Sequence, residues 1–194
     1  MNRQLAATTL ALGALALPAA PALASIPHLS FKKPSIVPGK SIGGVKVGMT
    51  KRQAVAKWGT PDRCLPFEND IWCQFLTRSP VQGGGSTTVP FAGYYLKGGK
   101  VTGVEIGLPD NSGSAAVTKV KKLKTAKKVG LGSAAATVRS KYGIPTPPPG
   151  EATASRNNLK TGRTCTSFYA PQAPYTTITG ITVGLCGAVV DLTF

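Results

Sequence analysis

The chain is poor in acids and poorer still in histidine. Its 194 residues hold seven Asp+Glu and one His, against 23 Lys+Arg. So few acids exclude a carboxylate-rich calcium or magnesium site. A single His excludes a His-rich metal cluster and a repeated proton relay. That residue, His28, lies in a Pro-rich stretch and reads as solvated. No G-x-S-x-G elbow is present, so a Ser/His/Asp triad would have to recruit His28. Pro38-Gly39-Lys40-Ser41 ends like a phosphate-binding loop, but Pro34 stands where its first Gly belongs. The Gly83-Gly84-Gly85-Ser86 run reads as a flexible loop. Glu68 and Asp70 read as turn residues rather than a glycosidase pair. Neither enzymatic activity nor a cofactor nor a metal is expected.

What is present points outside the cell. The net charge is +16, yet 42% of residues are hydrophobic, too many for a disordered chain. Residues 1–24 have a basic start, an apolar run from Leu5 to Leu17 and an Ala22-Leu23-Ala24 site. Those are the parts of a secretory signal peptide, with cleavage expected after Ala24. The run is broken by Pro18 and falls short of a spanning helix. No Cys stands at the cleavage site, so a lipid anchor there is not expected, nor is a transmembrane anchor in the mature chain. Four Cys in an exported chain favour two disulfides. They are Cys64, Cys73, Cys165 and Cys186, and they allow three pairings. Cys64–Cys73 with Cys165–Cys186 is expected, because each pair falls within one half of the chain. Their spacings do not match zinc-ligand knuckles.

Residues 25–40 carry three Pro and read as an exposed linker. Thr50 is a plausible cap for a helix whose Ala54 and Trp58 share a face and which Gly59 and Pro61 stop. Ser133, Val138, Tyr142, Gly143 and Pro145 repeat that grammar about 80 residues on. Strand signals follow each helix, at 71–76, 91–96 and 101–108, then at 164–170, 176–185 and 188–194. The expected fold is α+β. Two tandem helix-plus-antiparallel-strand units, 41–108 and 109–194, form a sheet with helices on one face and the other face open.

The run GMTKRQAVAKWGTP, followed by Phe67, Asn69, Trp72 and a strand, resembles the SmpA/OmlA (BamE-like) small outer-membrane lipoprotein domains. Gly48, Met49, Thr50, Gly59 and Pro61 carry the match. Those proteins are accessory components of the β-barrel assembly machinery. The tandem arrangement with two Cys per unit is similar to secreted β-lactamase inhibitory protein-like proteins. That resemblance implies a binding protein that presents a sheet face to a protein partner.

Alternation turns Val104 and Ile106 toward the helices and Glu105 away. Leu96 is expected inside and Tyr95 outside. Ile71 and Phe75 are placed inside because Gln74 is a poor core residue, which turns Trp72 outward. Tyr169 is outward by analogy. Trp72, Gln74, Tyr95, Glu105 and Tyr169 are therefore the candidate partner-binding residues. The second candidate is a run of six Lys in ten residues, Lys119, Lys121, Lys122, Lys124, Lys127 and Lys128. It would attract an anionic wall polymer. Nucleic acid is disfavoured as partner, since the chain is exported and the run has no interleaved aromatics. The irregular loop 144–163 is expected to be disordered. Two functions remain. One is a secreted, inhibitor-like protein that docks an unknown protein on the open face. The other is an envelope protein retained on anionic polymers by its charge.

Overall fold

The computed structural model describes residues 29–31, 35–80, 84–109, 115–146, 156–170 and 177–187. Strands β1 (Ile36–Val37), β2 (Ser41–Ile42) and β3 (Val45–Lys46) form a small antiparallel sheet in the order β1-β2-β3. Helix α1 (Lys51–Trp58) follows, then β4 (Arg63–Phe67), β5 (Asp70–Pro80), β6 (Ser86–Lys97) and β7 (Lys100–Gly107). Helices α2 (Ala115–Lys121) and α3 (Ala135–Tyr142) come next. Strands β8 (Arg156–Thr161), β9 (Thr164–Tyr169) and β10 (Gly180–Leu185) close the order. The last seven strands make one antiparallel sheet, β4-β5-β6-β7-β10-β9-β8.

This corrects the expected fold class. Strand far outweighs helix, and the three helices among the described residues are short. The chain is not two helix-plus-strand units. The physical reason is the pairing of β7 with β10, which runs Gly107 to Gly103 against Gly180 to Gly184 without a break. Backbone hydrogen bonding is therefore continuous across what was read as a unit boundary. Segments without a clear period add the rest. Ile36 and Leu29, in the stretch read as an exposed linker, are buried, because β1 and β2 pair over the core. Arg156–Thr161 lies in the loop expected to be disordered, yet it pairs along its whole length with β9. Residues 147–155 of that loop and the expected strand 188–194 lie outside the described residues.

Helix α1 forms where its caps require it. The Thr50 hydroxyl accepts from the Gln53 N–H at 3.3 Å, and the Gln53 side chain accepts from the Thr50 N–H at 2.9 Å. That reciprocal pair satisfies two otherwise orphaned donors. Gly59, at φ 94°, ends the helix in a conformation that L side chains rarely adopt. The residues behind the SmpA/OmlA resemblance are thus largely those that start and stop α1. Helix α3 begins one residue later than its sequence suggests. Its cap is Ala134, and the Ser133 hydroxyl instead accepts from the Gly130 N–H at 3.0 Å. Ser133 is diverted because its carbonyl accepts from the Ile178 N–H at 2.8 Å and Ala134 bridges Thr177.

One sheet face packs the core. Phe75, Tyr94, Val104, Ile106, Ile181, Val183 and Phe168 meet Ala54, Trp58, Val120, Leu123 and Val138 from the helices and loops. Trp58 is the hub. Its ring stands edge-on to Phe31 and Phe75 at 5.6 and 5.7 Å, and its indole N–H donates to the Gly43 carbonyl at 3.2 Å. Cys64 is joined to Cys73 and Cys165 to Cys186, the local pairing. The first ties edge strand β4 to β5 at directly opposed positions.

Candidate functional site

Strand parity puts Glu105 on the sheet face opposite to Val104 and Ile106, as alternation requires. Register then assembles a row across that outward face: Arg63, Gln74, Gly93, Glu105, Thr182, Ser167 and Asn158. The adjacent row holds Trp72, Tyr95, Gly103 and Gly184. Four of the five residues expected to bind a partner, Trp72, Gln74, Tyr95 and Glu105, therefore lie together. Tyr169 lies on the same face opposite Gly180, three strands from Tyr95, and is half-buried.

The face is not open at this place, which corrects the expectation. Gln74, Tyr95 and Glu105 are 1%, 3% and 0% exposed, and Trp72 is half-buried. The rings close over one another. Trp72 and Tyr95 stack at 5.8 Å, and Phe67 from β4 stands edge-on to both at 5.7 and 5.8 Å. They can lie flat because the floor is glycine. A Cβ on Gly93 would come within 2.7 Å of Trp72 Nε1, and one on Gly103 within 3.3 Å of the Tyr95 ring.

Glu105 occupies the central strand, with Gly93 and Thr182 across from it and Gly103 and Gly107 beside it on the same face. Tyr95 Oη donates to its Oε2 at 2.9 Å. Its Oε1, the Thr182 hydroxyl and the Trp72 indole N–H are buried without a well-formed hydrogen bond. Burial pushes the Glu105 carboxyl up to about 7, and the Tyr95 hydroxyl and the nearby Trp72 indole offset this only in part. Burial also raises the Tyr95 phenol, with the Glu105 charge adding to it. Arg63, in the same row, is held on Gln74 at 2.6 Å. Sequence reasoning missed what isolates the acid. Gly103-Val104-Glu105-Ile106-Gly107 and Gly180-Ile181-Thr182-Val183-Gly184 share one pattern, and they pair end to end.

The lysine run divides into two sets. Lys119, Lys124 and Lys127 donate to the carbonyls of Leu29, Leu131 and Lys141, and Lys127 also lies 4.8 Å over the Tyr142 ring. These three tie α2 and its connection to α3 to their surroundings. Lys121, Lys122 and Lys128 are exposed and have no side-chain partner among the described residues. Two smaller expectations also meet the structure here. Glu68 takes φ 51° in the turn between β4 and β5, and Asp70 accepts from the Thr102 hydroxyl at 2.7 Å, so both are turn and strand-end residues. Ile71, expected inside, is 47% exposed near the start of β5, although Leu96 opposite it on β6 is buried. It lines an open cleft of about 670 Å³ with Pro66, Leu96, Lys51 and Lys97.

No family model matches the chain, and no curated protein is similar to it. The solved structures similar to it include the following three. A cysteine-rich secretory protein from Staphylococcus aureus is 13% identical over 76% of this chain and 47% of its own, with a TM-score of 0.48. A DUF4309 family protein from Bacillus subtilis is 14% identical over 76% of this chain and 88% of its own, at 0.41. An extracellular protein containing an SCP domain from Bacillus anthracis is 13% identical over 71% of this chain and 43% of its own, at 0.35. The chain thus spans just under half the length of the Staphylococcus aureus and Bacillus anthracis proteins. Likeness at this level says nothing of function. The two disulfides fit an extracytoplasmic protein, and no described helix is long and apolar enough to cross a membrane.

Proposed function

We propose that this is a non-enzymatic, exported binding protein retained on anionic envelope polymers by its basic surface. Export with cleavage after Ala24 is part of this reading. The observation that carries it is the state of Lys121, Lys122 and Lys128, which are solvated and unpaired among the described residues. Charge that is not consumed by the fold is available to a partner. The chain's overall balance of 23 basic to seven acidic residues supports the same reading.

The test is retention of the mature protein on its own cell envelopes across a salt series. Lys121→Gln, Lys122→Gln and Lys128→Gln together remove three charges without touching a tertiary hydrogen bond. Elution should move to lower salt, because exposed charge pairing is screened within about 8–10 Å at physiological ionic strength. Unchanged retention and unchanged salt dependence would sink the reading. Docking of a protein on the sheet face finds no support at Gln74, Tyr95 or Glu105 while they are enclosed.

A further inference from the structure

The outward-face cluster has no part in charge-based retention, and its construction is odd. A carboxyl stands at the middle of a seven-stranded sheet with glycine on three of its four same-face neighbouring positions. Glycine at each of those sites leaves no side chain to pair with it. Among the described residues, its cover comes from Trp72 and Tyr95, with Phe67 leaning on both from the sheet's edge strand. A buried carboxyl with one oxygen unpartnered is tolerable when neutral and costly when charged.

We propose that Glu105 is a proton-operated latch. With the carboxyl protonated, the Phe67–Trp72–Tyr95 cluster stays closed over it. With the carboxylate formed, the cluster opens and exposes an aromatic surface floored by glycine. Opening can be local, since β4 is an edge strand and Phe67 and Trp72 are half-buried already.

The surroundings offer little to hold the charge in place. From β6, Tyr95 donates one hydrogen bond. From β5, Gln74 is neutral, and Trp72 supplies only a poorly aligned N–H. From β10, Thr182 is neutral. From β4, Arg63 is occupied by Gln74. Glu68, in the turn between β4 and β5, is a like charge acting on Tyr95. No cation faces Glu105 among the described residues. Ionisation at about 7 when closed and 4.5 when solvated raises the opening equilibrium by up to a few hundredfold between acid pH and the range above neutrality.

The chain has two Trp, which makes the test clean. Indole N–H signals of the exported chain are followed from pH 5 to 9, with acrylamide quenching of fluorescence alongside. Trp72 should become quenchable and exchange faster as pH passes neutrality, while the Trp58 N–H, bonded to Gly43, stays protected. Glu105→Gln should hold Trp72 shielded throughout, and Trp72→Phe should remove the pH-dependent quenching. Only three Glu are present, so carboxyl-carbon NMR of the unsubstituted protein gives a second measure. One of the three should titrate near neutrality. The latch is overturned if all three titrate in the ordinary range. It is equally overturned if Trp72 stays shielded at pH 9, or if Trp58 opens together with it, which is global unfolding.

Discussion

Replacing Glu105 by Gln should make the protein more stable in base and leave it unchanged in acid. The carboxyl is fully buried and titrates at about 7 in the folded chain, against 4.5 when solvated. Below pH 4.5 it is protonated in both states and contributes nothing to the pH dependence. Between 4.5 and 7 the unfolded chain has released the proton and the folded chain still holds it. The folded state binds more protons there, so stability falls as pH rises, by up to about 1.4 kcal/mol per unit. Above pH 7 both states are ionised, and the loss levels off at roughly 3 kcal/mol. That is a large share of the 5–15 kcal/mol that typically separates folded from unfolded domains. Gln has the same shape, carries no charge and still offers an oxygen to the Tyr95 hydroxyl. Urea unfolding at pH 4.5, 6 and 8 is the assay. The two proteins should agree within about 1 kcal/mol at pH 4.5, and Gln should lead by up to roughly 3 kcal/mol at pH 8. Parallel curves at all three pH values would refute the reasoning, because they would show a Glu105 that is charged at no cost.

Tyr94 should be better replaced than kept. Its hydroxyl is buried without a partner, and burial pushes its phenol up to about 12, so Tyr94→Phe should be neutral or stabilise by about 1 kcal/mol in urea unfolding. A clear loss of stability would mean that the hydroxyl has a partner in solution. Trp58→Ala should be the opposite case, because it removes the ring on which Phe31, Phe75 and Tyr94 converge and the donor to Gly43. A cost of about 3–5 kcal/mol is expected from the same measurement, and one below 1 kcal/mol would show that the core can close around the gap.

Much of the local structure was legible in the residues. Helix α1 follows from Thr50, Gln53 and Gly59, since capping chemistry acts over three or four residues and needs no tertiary partner. The parity of β7 follows from apolar alternation at Val104 and Ile106, and it put Glu105 on the correct face. Parity names a face but not what lies over it. Exposure of Trp72, Gln74, Tyr95 and Glu105 was inferred from their side alone; the stacked rings on their glycine floor enclose Gln74, Tyr95 and Glu105 and leave Trp72 half-buried.

The amino-acid sequence by itself determined the charge balance, the poverty in His and acids, the caps of the first helix and the side on which strand residues point. All of these are composition or short-range geometry. Only the tertiary structure decided that β7 pairs with β10, because strand pairing joins segments about 75 residues apart, and no local pattern encodes the partner. From that pairing follow the single seven-stranded sheet, the alignment of the two glycine-flanked pentapeptides and the isolation of Glu105. It also decided which lysines hold the fold and which remain free, since Lys119, Lys124 and Lys127 differ from Lys121, Lys122 and Lys128 only in the carbonyl each happens to reach.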